Sequence, residues 1–176
     1  MTDLVSLKSP IEEELLVCVY DLTGFAQFSR SKTSREVFQV MSDFYSMTQT
    51  GVKQAKGLLI KFIGDAGLCV FSRDVASEAI EAMINMKFKC DDWLKKSIPG
   101  SSLSIKCHVG PVTIGPITGY GGNVQIDVMG DTVNTCFALG RREFILSPQA
   151  FRSLNSETRK KFNKFTPPII YKLSGR

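Results

Sequence analysis

Two aspartates stand at points where the chain is expected to reverse direction. Asp21 closes an apolar run that begins at Glu14, and Asp65 ends the Ile63-Gly64-Asp65 segment that joins two further apolar runs. Two carboxylates that meet at the edge of a sheet suit hard cations such as magnesium, which prefer oxygen ligands and leave positions for phosphate oxygens. The alternative is that both are solvated turn residues, and these two positions alone do not decide between the interpretations.

The elements around these carboxylates follow the order β-α-β-β-α-β. Apolar runs predict strands at 14–21, on both sides of the Ile63-Gly64-Asp65 turn and at 102–117. Helical periodicity predicts helices at 37–48 and 75–93. The order is that of an α+β, two-layer fold, a ferredoxin-like split βαββαβ sheet with additional C-terminal elements. In that plan the first strand lies beside the hairpin, so Asp21 and Asp65 are expected to converge.

The C-terminal elements are shorter. The sequence predicts a strand at 124–130, a helix opened by Asp131, a strand at 143–148, helical turns at 147–154 and 156–162, and a last strand at 168–173. Residues 1–12 are expected to form a flexible N-terminus, and 13–176 a single domain.

Composition narrows the class of protein. The chain has 176 residues, of which 43% are hydrophobic and 22% charged, an ordinary globular balance. No apolar run is long enough for a membrane span, and the acidic start does not resemble a secretory signal, so a cytoplasmic location is expected. The five cysteines are odd in number and form no C-x-x-C pair, which favours buried thiols in a reducing compartment.

The net charge of +5 leaves a nucleic-acid-binding domain open as an alternative. The lysines and arginines are scattered, however, and no aromatic stacking motif accompanies them. We therefore interpret them as a solvated face and expect no nucleic-acid partner.

Four segments resemble, in order and with similar separations, the motifs of class III adenylyl and guanylyl cyclases. They are D-L-T-G-F at 21–25, K-F-I-G-D-A at 61–66, H-V-G-P-V at 108–112 and D-V-M-G-D-T-V-N at 127–134. The resemblance covers roughly residues 14–147. Each motif alone is weakly specific, whereas the ordered set is specific, and it is the main ground for the function expected here.

The resemblance implies a two-metal site. Asp21 and Asp65 would hold two divalent ions, Mg²⁺ or Mn²⁺, with the carbonyl of Leu22 as a further ligand, and the ribose 3′-hydroxyl of ATP would attack the α-phosphate. The backbone amides that would bind phosphate are those of Thr23, Gly24 and Phe25.

The resemblance also implies a base-reading pair, Lys61 and Asp127. An ammonium can donate to adenine N1, and a carboxylate can accept from the exocyclic amino group, whereas guanine presents the reverse pattern. The pair therefore favours ATP over GTP, and the alternative is a solvated strand end and a loop carboxylate. Asn134 matches the asparagine that orients the ribose, its alternative being a helix-surface amide. His108, the only histidine, is interpreted as structural.

The pattern breaks at two cationic positions. The family's helix runs T-V-N-x-x-x-R, and its arginine braces the transition-state phosphate, but Ala138 stands at that place here. Arg141 lies one helical turn further on and is the candidate replacement, although the helix is predicted to end before it, near Gly140. For the family's late phosphate-binding lysine the candidate is Lys164, while Asn163 occupies the strict position.

The sequence therefore predicts an adenylate cyclase-like domain with weak turnover, and the alternative is a catalytically impaired nucleotide-binding or signalling module. The complete aspartate pair favours the first and Ala138 the second. Because the family builds each site from two subunits and this chain carries both sets of residues, a homodimer with composite sites is expected. No regulatory domain is recognised in the sequence, so a separate regulatory protein is the expected source of control.

Overall fold

The computed structural model describes Leu4, residues 6–140 and residues 144–175. The strands are β1 Ile11–Thr23, β2 Leu58–Ile63, β3 Ala66–Ser72, β4 Ser102–Thr118, β5 Val124–Met129, β6 Phe144–Leu146, β7 Phe162–Phe165 and β8 Ile170–Leu173. The helices are α1 Phe25–Arg30, α2 Ser34–Gln54, α3 Ala76–Ser97, α4 Asp131–Ala138, α5 Pro148–Arg152 and α6 Ser156–Arg159.

Within the described residues, eight strands form one sheet. Its order is β2-β3-β1-β4-β6-β8-β7, and β5 pairs with the distal half of β4. The first four positions reproduce the split βαββαβ arrangement, with β1 antiparallel to both β3 and β4. The α+β, ferredoxin-like plan with C-terminal additions is confirmed.

Both faces of β1 are buried, which explains why its sequence is a continuous apolar run and not an alternating one. Leu16, Cys18 and Tyr20 face the helices α2 and α3 in the larger core cluster. Val17 and Val19 face the opposite side, where α4 covers the sheet.

Local interactions fix the two long helices. Thr33 and Glu36 form a capping box that starts α2 at Ser34, three residues before the periodic segment 37–48. The C-terminal part of α3 is tied to the start of β4, because Asp91 accepts the Leu103 amide at 2.7 Å and Lys87 donates to the Leu103 carbonyl at 2.6 Å. Helices and sheet are thus held in register at the end of β1 that carries Asp21.

All five cysteines are buried and free. Cys18 lies directly opposite Cys69 of β3 and Cys107 of β4, and the Cys18 and Cys107 sulfurs are 3.1 Å apart. Burial raises the pKa of each thiol in this row. The prediction that the cysteines are buried thiols is confirmed.

Two boundaries differ from the sequence prediction. β1 begins at Ile11, because Ile11 and Glu12 already pair with the distal half of β4. Residues 156–162 were predicted as helical turns, but α6 ends at Arg159 and Phe162 begins β7. Phe162 is 6% exposed and meets the Phe144 ring edge-on at 5.6 Å, so burial of this ring draws the segment into the sheet. Among the described residues, no helix is long and apolar enough to cross a membrane.

We expect His108 to make the stability of the protein sensitive to mild acid. Its side chain is 8% exposed and contacts Ser147 Oγ at 2.8 Å through Nδ1. Burial lowers the pKa of His108, although Asp131 raises it. The unfolded chain therefore protonates His108 more readily than the folded chain does. The contribution of neutral His108 to the free energy of unfolding is fully present above pH 6.5 and is lost as the pH falls below this unfolded-state pKa.

Urea unfolding at pH 7.5 and pH 5.5 measures this effect. His108→Gln, which keeps a polar group for Ser147, should show a smaller loss of unfolding free energy at pH 5.5 than the unsubstituted protein. An equal loss in both proteins would assign the sensitivity to carboxylates instead.

Candidate functional site

The register of the central strands brings Asp21 and Asp65 together. Asp21 lies opposite Ala66, the first residue of β3, and Asp65 is the residue before it. The Leu22 amide donates to the Asp65 carbonyl at 3.3 Å, which ties the hairpin turn to the end of β1. The predicted convergence of the two residues is therefore a property of the fold.

Both residues of the carboxylate pair are partly buried. Asp21 Oδ1 is buried and has no hydrogen-bond partner among the described residues. Burial raises the pKa of Asp65, and the negative charge of Asp21 raises it further. An unpartnered buried oxygen beside a second carboxylate is costly unless a cation compensates it.

This donor set fits a hard divalent cation that is completed by other oxygens. Within residues 6–140 and 144–175, no group of three or more His, Cys, Asp or Glu side chains could enclose a metal. Two carboxylates leave several coordination positions for water or phosphate oxygens, which is how magnesium is usually held beside phosphates.

After Asp21, β1 continues through Leu22 and Thr23, and Gly24 joins the strand to α1. Leu22 buries its side chain in the helix-side core, so its backbone is the part available to the site. Thr23 Oγ1 lies 2.9 Å from Ser102 Oγ and accepts the Ser102 amide at 3.0 Å. Gly24 has φ +78° and precedes Phe25, where α1 begins. Since α1 has only six residues, its dipole is small, and phosphate binding here would depend on individual amides.

Lys61 of β2 and Asp127 of β5 form an ion pair. Lys61 Nζ donates to Asp127 Oδ2 at 2.6 Å, and Asp127 Oδ1 accepts the Val128 amide at 2.8 Å. The Asp127 side chain is 13% exposed and the Lys61 side chain 37%. Sequence reasoning grouped the two residues, and the structure brings them into contact.

The contact requires a curled sheet. β2 and β5 are separated by four strand spacings through β3, β1 and β4, which is about 19 Å in a flat sheet and beyond the reach of a lysine. The twist and coiling of the sheet close this distance. The concave face so formed buries Ile60 of β2 against the cluster that contains Val128 of β5.

Asn134 is exposed on α4, and contacts with β4 fix the position of this helix on the sheet. Thr132 Oγ1 donates to the Pro111 carbonyl at 2.7 Å, and the Cys136 thiol contacts the Lys106 carbonyl at 3.2 Å. A Cβ at Gly110 would lie 2.6 Å from Thr132 Oγ1, so this close approach requires glycine. The anchored helix presents Asn134 to solvent on its outer side.

The family profile described as the adenylate and guanylate cyclase catalytic domain matches residues 8–162. The chain belongs to this family. Members of the family generally use divalent metal ions, bind nucleotides and often dimerise.

Relatives of the cyclase domain carry both adenylate and guanylate names. An adenylate cyclase of Anabaena cylindrica is 27% identical over 128 residues, which are 68% of this chain and 25% of that protein. The chain thus spans about a quarter of that relative.

Among solved structures, the guanylyl cyclase Cya2 superposes with a TM-score of 0.79 at 17% identity, covering 94% of this chain and 93% of that one. The adenylyl cyclase CyaB from P. aeruginosa gives 0.79 at 15%, covering 96% and 97%. These similarities establish the fold. They do not distinguish adenine from guanine as the base of the nucleotide.

The cyclase domain lacks a cationic side chain at the last residue of α4. Ala138 is exposed there and Leu139 caps the helix, so the predicted early end of the helix is confirmed. Arg141, the candidate replacement, lies outside the described residues.

Sequence reasoning missed Lys106, which is 8% exposed and donates to the Phe137 carbonyl at 3.1 Å. It stabilises the shortened C-terminus of α4. The available signal was a lysine inside the apolar run of β4.

Lys164 lies on β7, at the edge of the sheet opposite the β2–β3 hairpin. Its side chain is exposed, and β4, β6 and β8 separate it from β1. The fold of one chain therefore does not bring Lys164 to the carboxylate pair.

We expect Asp65→Asn to stabilise the metal-free protein while abolishing metal binding. The raised pKa of Asp65 means that its ionised form is disfavoured in the folded state, so a neutral isostere removes an unfavourable charge. Thermal unfolding without metal should show a higher midpoint. Calorimetry in which Mn²⁺ is added in the presence of ATP should show no binding of Mn²⁺.

Asp43→Asn, at an exposed carboxylate of α2, is the matched control and should change neither measurement. A lower midpoint for Asp65→Asn, or unaltered Mn²⁺ binding, would contradict the assignment of this carboxylate.

Proposed function

We propose that this domain converts ATP into 3′,5′-cyclic AMP and diphosphate, with Asp21 and Asp65 as ligands of two divalent ions, Mg²⁺ or Mn²⁺, in each site. The observation that carries the proposal is the convergent carboxylate pair with its unpartnered buried oxygen, Asp21 Oδ1. When bound, such ions lower the pKa of the attacking hydroxyl and neutralise the triphosphate and the leaving diphosphate. The Leu22 carbonyl is the further ligand in this proposal.

The Lys61–Asp127 pair supports ATP as the substrate. A lysine ammonium has three donors, and one of them is used on Asp127 Oδ2, so others are available for adenine N1. Asp127 can accept from the exocyclic amino group. Guanine would set its ring N–H against the ammonium and its carbonyl against the carboxylate, at a cost of about 1–3 kcal/mol for each unpaired group.

The remaining polar groups are assigned to the ribose and the phosphates. Exposed Asn134 orients the ribose from the outer side of α4. Backbone amides bind phosphate oxygens. Lys164, exposed on β7 and far from the carboxylates of its own chain, binds the triphosphate held by the carboxylates of the other subunit in this proposal. The groups proposed for phosphate through their amides are Thr23, Gly24 and Phe25.

A homodimer completes each site in this proposal. Large apolar side chains are exposed on α4 and on the paired segments 113–118 of β4 and 124–129 of β5. They are Val124 at 64%, Met129 at 56%, Ile117 at 41% and Phe137 at 38% exposure. Such a surface is typical of a protein–protein contact. A two-fold axis would place the base-reading residues of one subunit opposite the carboxylates of the other.

Slow turnover follows from Ala138. A cationic brace acts on charge that develops in the transition state, so its loss lowers the rate more than it weakens binding. The same observation favours the second candidate function, a nucleotide-binding or signalling module that does not turn ATP over. Cyclic AMP production separates the two.

We expect Ala138→Arg to raise the rate of cyclic AMP formation by about 100- to 1,000-fold, the contribution of comparable electrostatic groups. The measurement is product formation by the purified protein with Mn²⁺ and ATP, with GTP as the matched substrate control. Cyclic AMP from ATP and negligible cyclic GMP from GTP are expected.

Arg141→Ala tests whether the brace has moved along the chain. Rapid turnover in the unsubstituted protein that Arg141→Ala abolishes would assign the role to Arg141. Rapid turnover that Arg141→Ala leaves unchanged would contradict the argument from Ala138 altogether.

We expect Asp21→Ala and Lys61→Ala to complement each other when mixed. Each variant alone has two defective sites, whereas a mixed dimer has one intact site and one that carries both changes. Random mixing in equal amounts should restore about a quarter of the normal Mn²⁺–ATP binding sites, as two-fold symmetry requires. Calorimetry measures the site number, and a verified mixed dimer without restored binding would rule out shared sites.

A further inference from the structure

Tyr45 of α2 contacts the turn that carries Asp65. Its hydroxyl donates to the Gly64 carbonyl at 2.5 Å. Its ring stacks on Phe62 of β2, with 3.8 Å between ring centroids and 13° between the planes. One side chain therefore holds both the strand that enters the turn and the peptide group that precedes the carboxylate.

The turn needs such a support. Gly64 and Asp65 are the two residues between the paired Ile63 and Ala66, and Gly64 has φ +60°, a left-handed conformation that glycine adopts without strain. Because glycine has a wide range of backbone angles, such a two-residue turn can change its position relative to the paired residues Ile63 and Ala66. Two contacts from outside the hairpin oppose this, the Tyr45 hydroxyl on Gly64 and the Leu22 amide on the Asp65 carbonyl.

The support acts against a defined force. Asp65 directly precedes Ala66, the residue paired with Asp21, and the like charge of Asp21 acts on the Asp65 carboxylate, so the two carboxylates repel each other. Without an anchor, the mobile turn can relieve the repulsion by moving Asp65 away from Asp21. A metal pair needs the two carboxylates at a fixed separation, so relaxation of the turn would weaken the site.

The element that carries Tyr45 is itself well fixed. α2 has 21 residues and a complete capping box, and the neighbouring Phe44 is fully buried with its ring edge-on to Tyr20 at 6.1 Å. Tyr20 directly precedes Asp21. Through adjacent residues, α2 thus contacts the segments that hold both carboxylates.

We infer that Tyr45 is a positioning residue for the metal site, which sets the place of Asp65 relative to Asp21 through the Gly64 carbonyl. The inference rests on the proposed function. Tyr45 acts through the backbone of the turn and not by contact with the nucleotide.

Tyr45→Phe isolates the hydroxyl, because it keeps the ring that stacks on Phe62. The matched control is Tyr171→Phe, since Tyr171 of β8 also stacks on a phenylalanine, Phe151, with centroids 3.6 Å apart and at a distant part of the sheet. Two readouts are needed. The first is amide hydrogen exchange of residues 62–67 without metal, and the second is Mn²⁺ binding by calorimetry in the presence of α,β-methylene-ATP, which cannot be cyclised.

We expect faster exchange at 62–67 in Tyr45→Phe, with unchanged exchange in β1 and β4, and a dissociation constant for Mn²⁺ that is about five- to tenfold higher, as the loss of one hydrogen bond predicts. Tyr171→Phe should match the unsubstituted protein in both readouts. Unchanged Mn²⁺ affinity in Tyr45→Phe, with or without faster exchange, would overturn the inference. Failure of the unsubstituted protein to bind Mn²⁺ with the analogue would instead overturn the proposed function and the inference with it.

Discussion

β1 is paired with β4 along its whole length and with β3 from Leu15 to Asp21. These two ladders determine which residues can meet at the site. One ladder brings the β2–β3 turn to Asp21, and the other sets β4 beside it as the platform for α4. A slip of one residue in either ladder would turn Asp21 to the helix-side face and bury it among apolar side chains, so the hydrophobic pattern of β1 fixes the site as well as the core.

The local part of this arrangement could be predicted from the sequence. Apolar runs and the turn before Ala66 gave the hairpin, and the split βαββαβ plan placed Asp65 beside Asp21. The resemblance to cyclases grouped Lys61 with Asp127. Their contact within one chain could not be predicted from strand order, because it depends on how strongly the sheet curls, and curl is a cumulative property of all the strands.

Other features were outside the reach of sequence patterns. The segment that forms β7 has only four residues, two polar between two phenylalanines, so its pairing with β8 follows from the burial of Phe162 and not from alternation. Lys106 lies inside the apolar run of β4, and only the early end of α4 shows why a buried ammonium is stable there. Tyr45 fitted the periodicity of α2, which concealed its contact with Gly64.

The buried thiols have a consequence for how the molecule opens. All five cysteines have 0% exposure, and desolvation keeps them protonated, whereas alkylating reagents attack the exposed thiolate. Labelling therefore proceeds only through excursions that expose the core. Cys136 lies on the sheet-facing side of α4, and Cys18, Cys69 and Cys107 lie in the central strands, so separate labelling rates would distinguish detachment of that helix from rupture of the strands. The rate at which each buried thiol is alkylated thus reports how often its own part of the core opens.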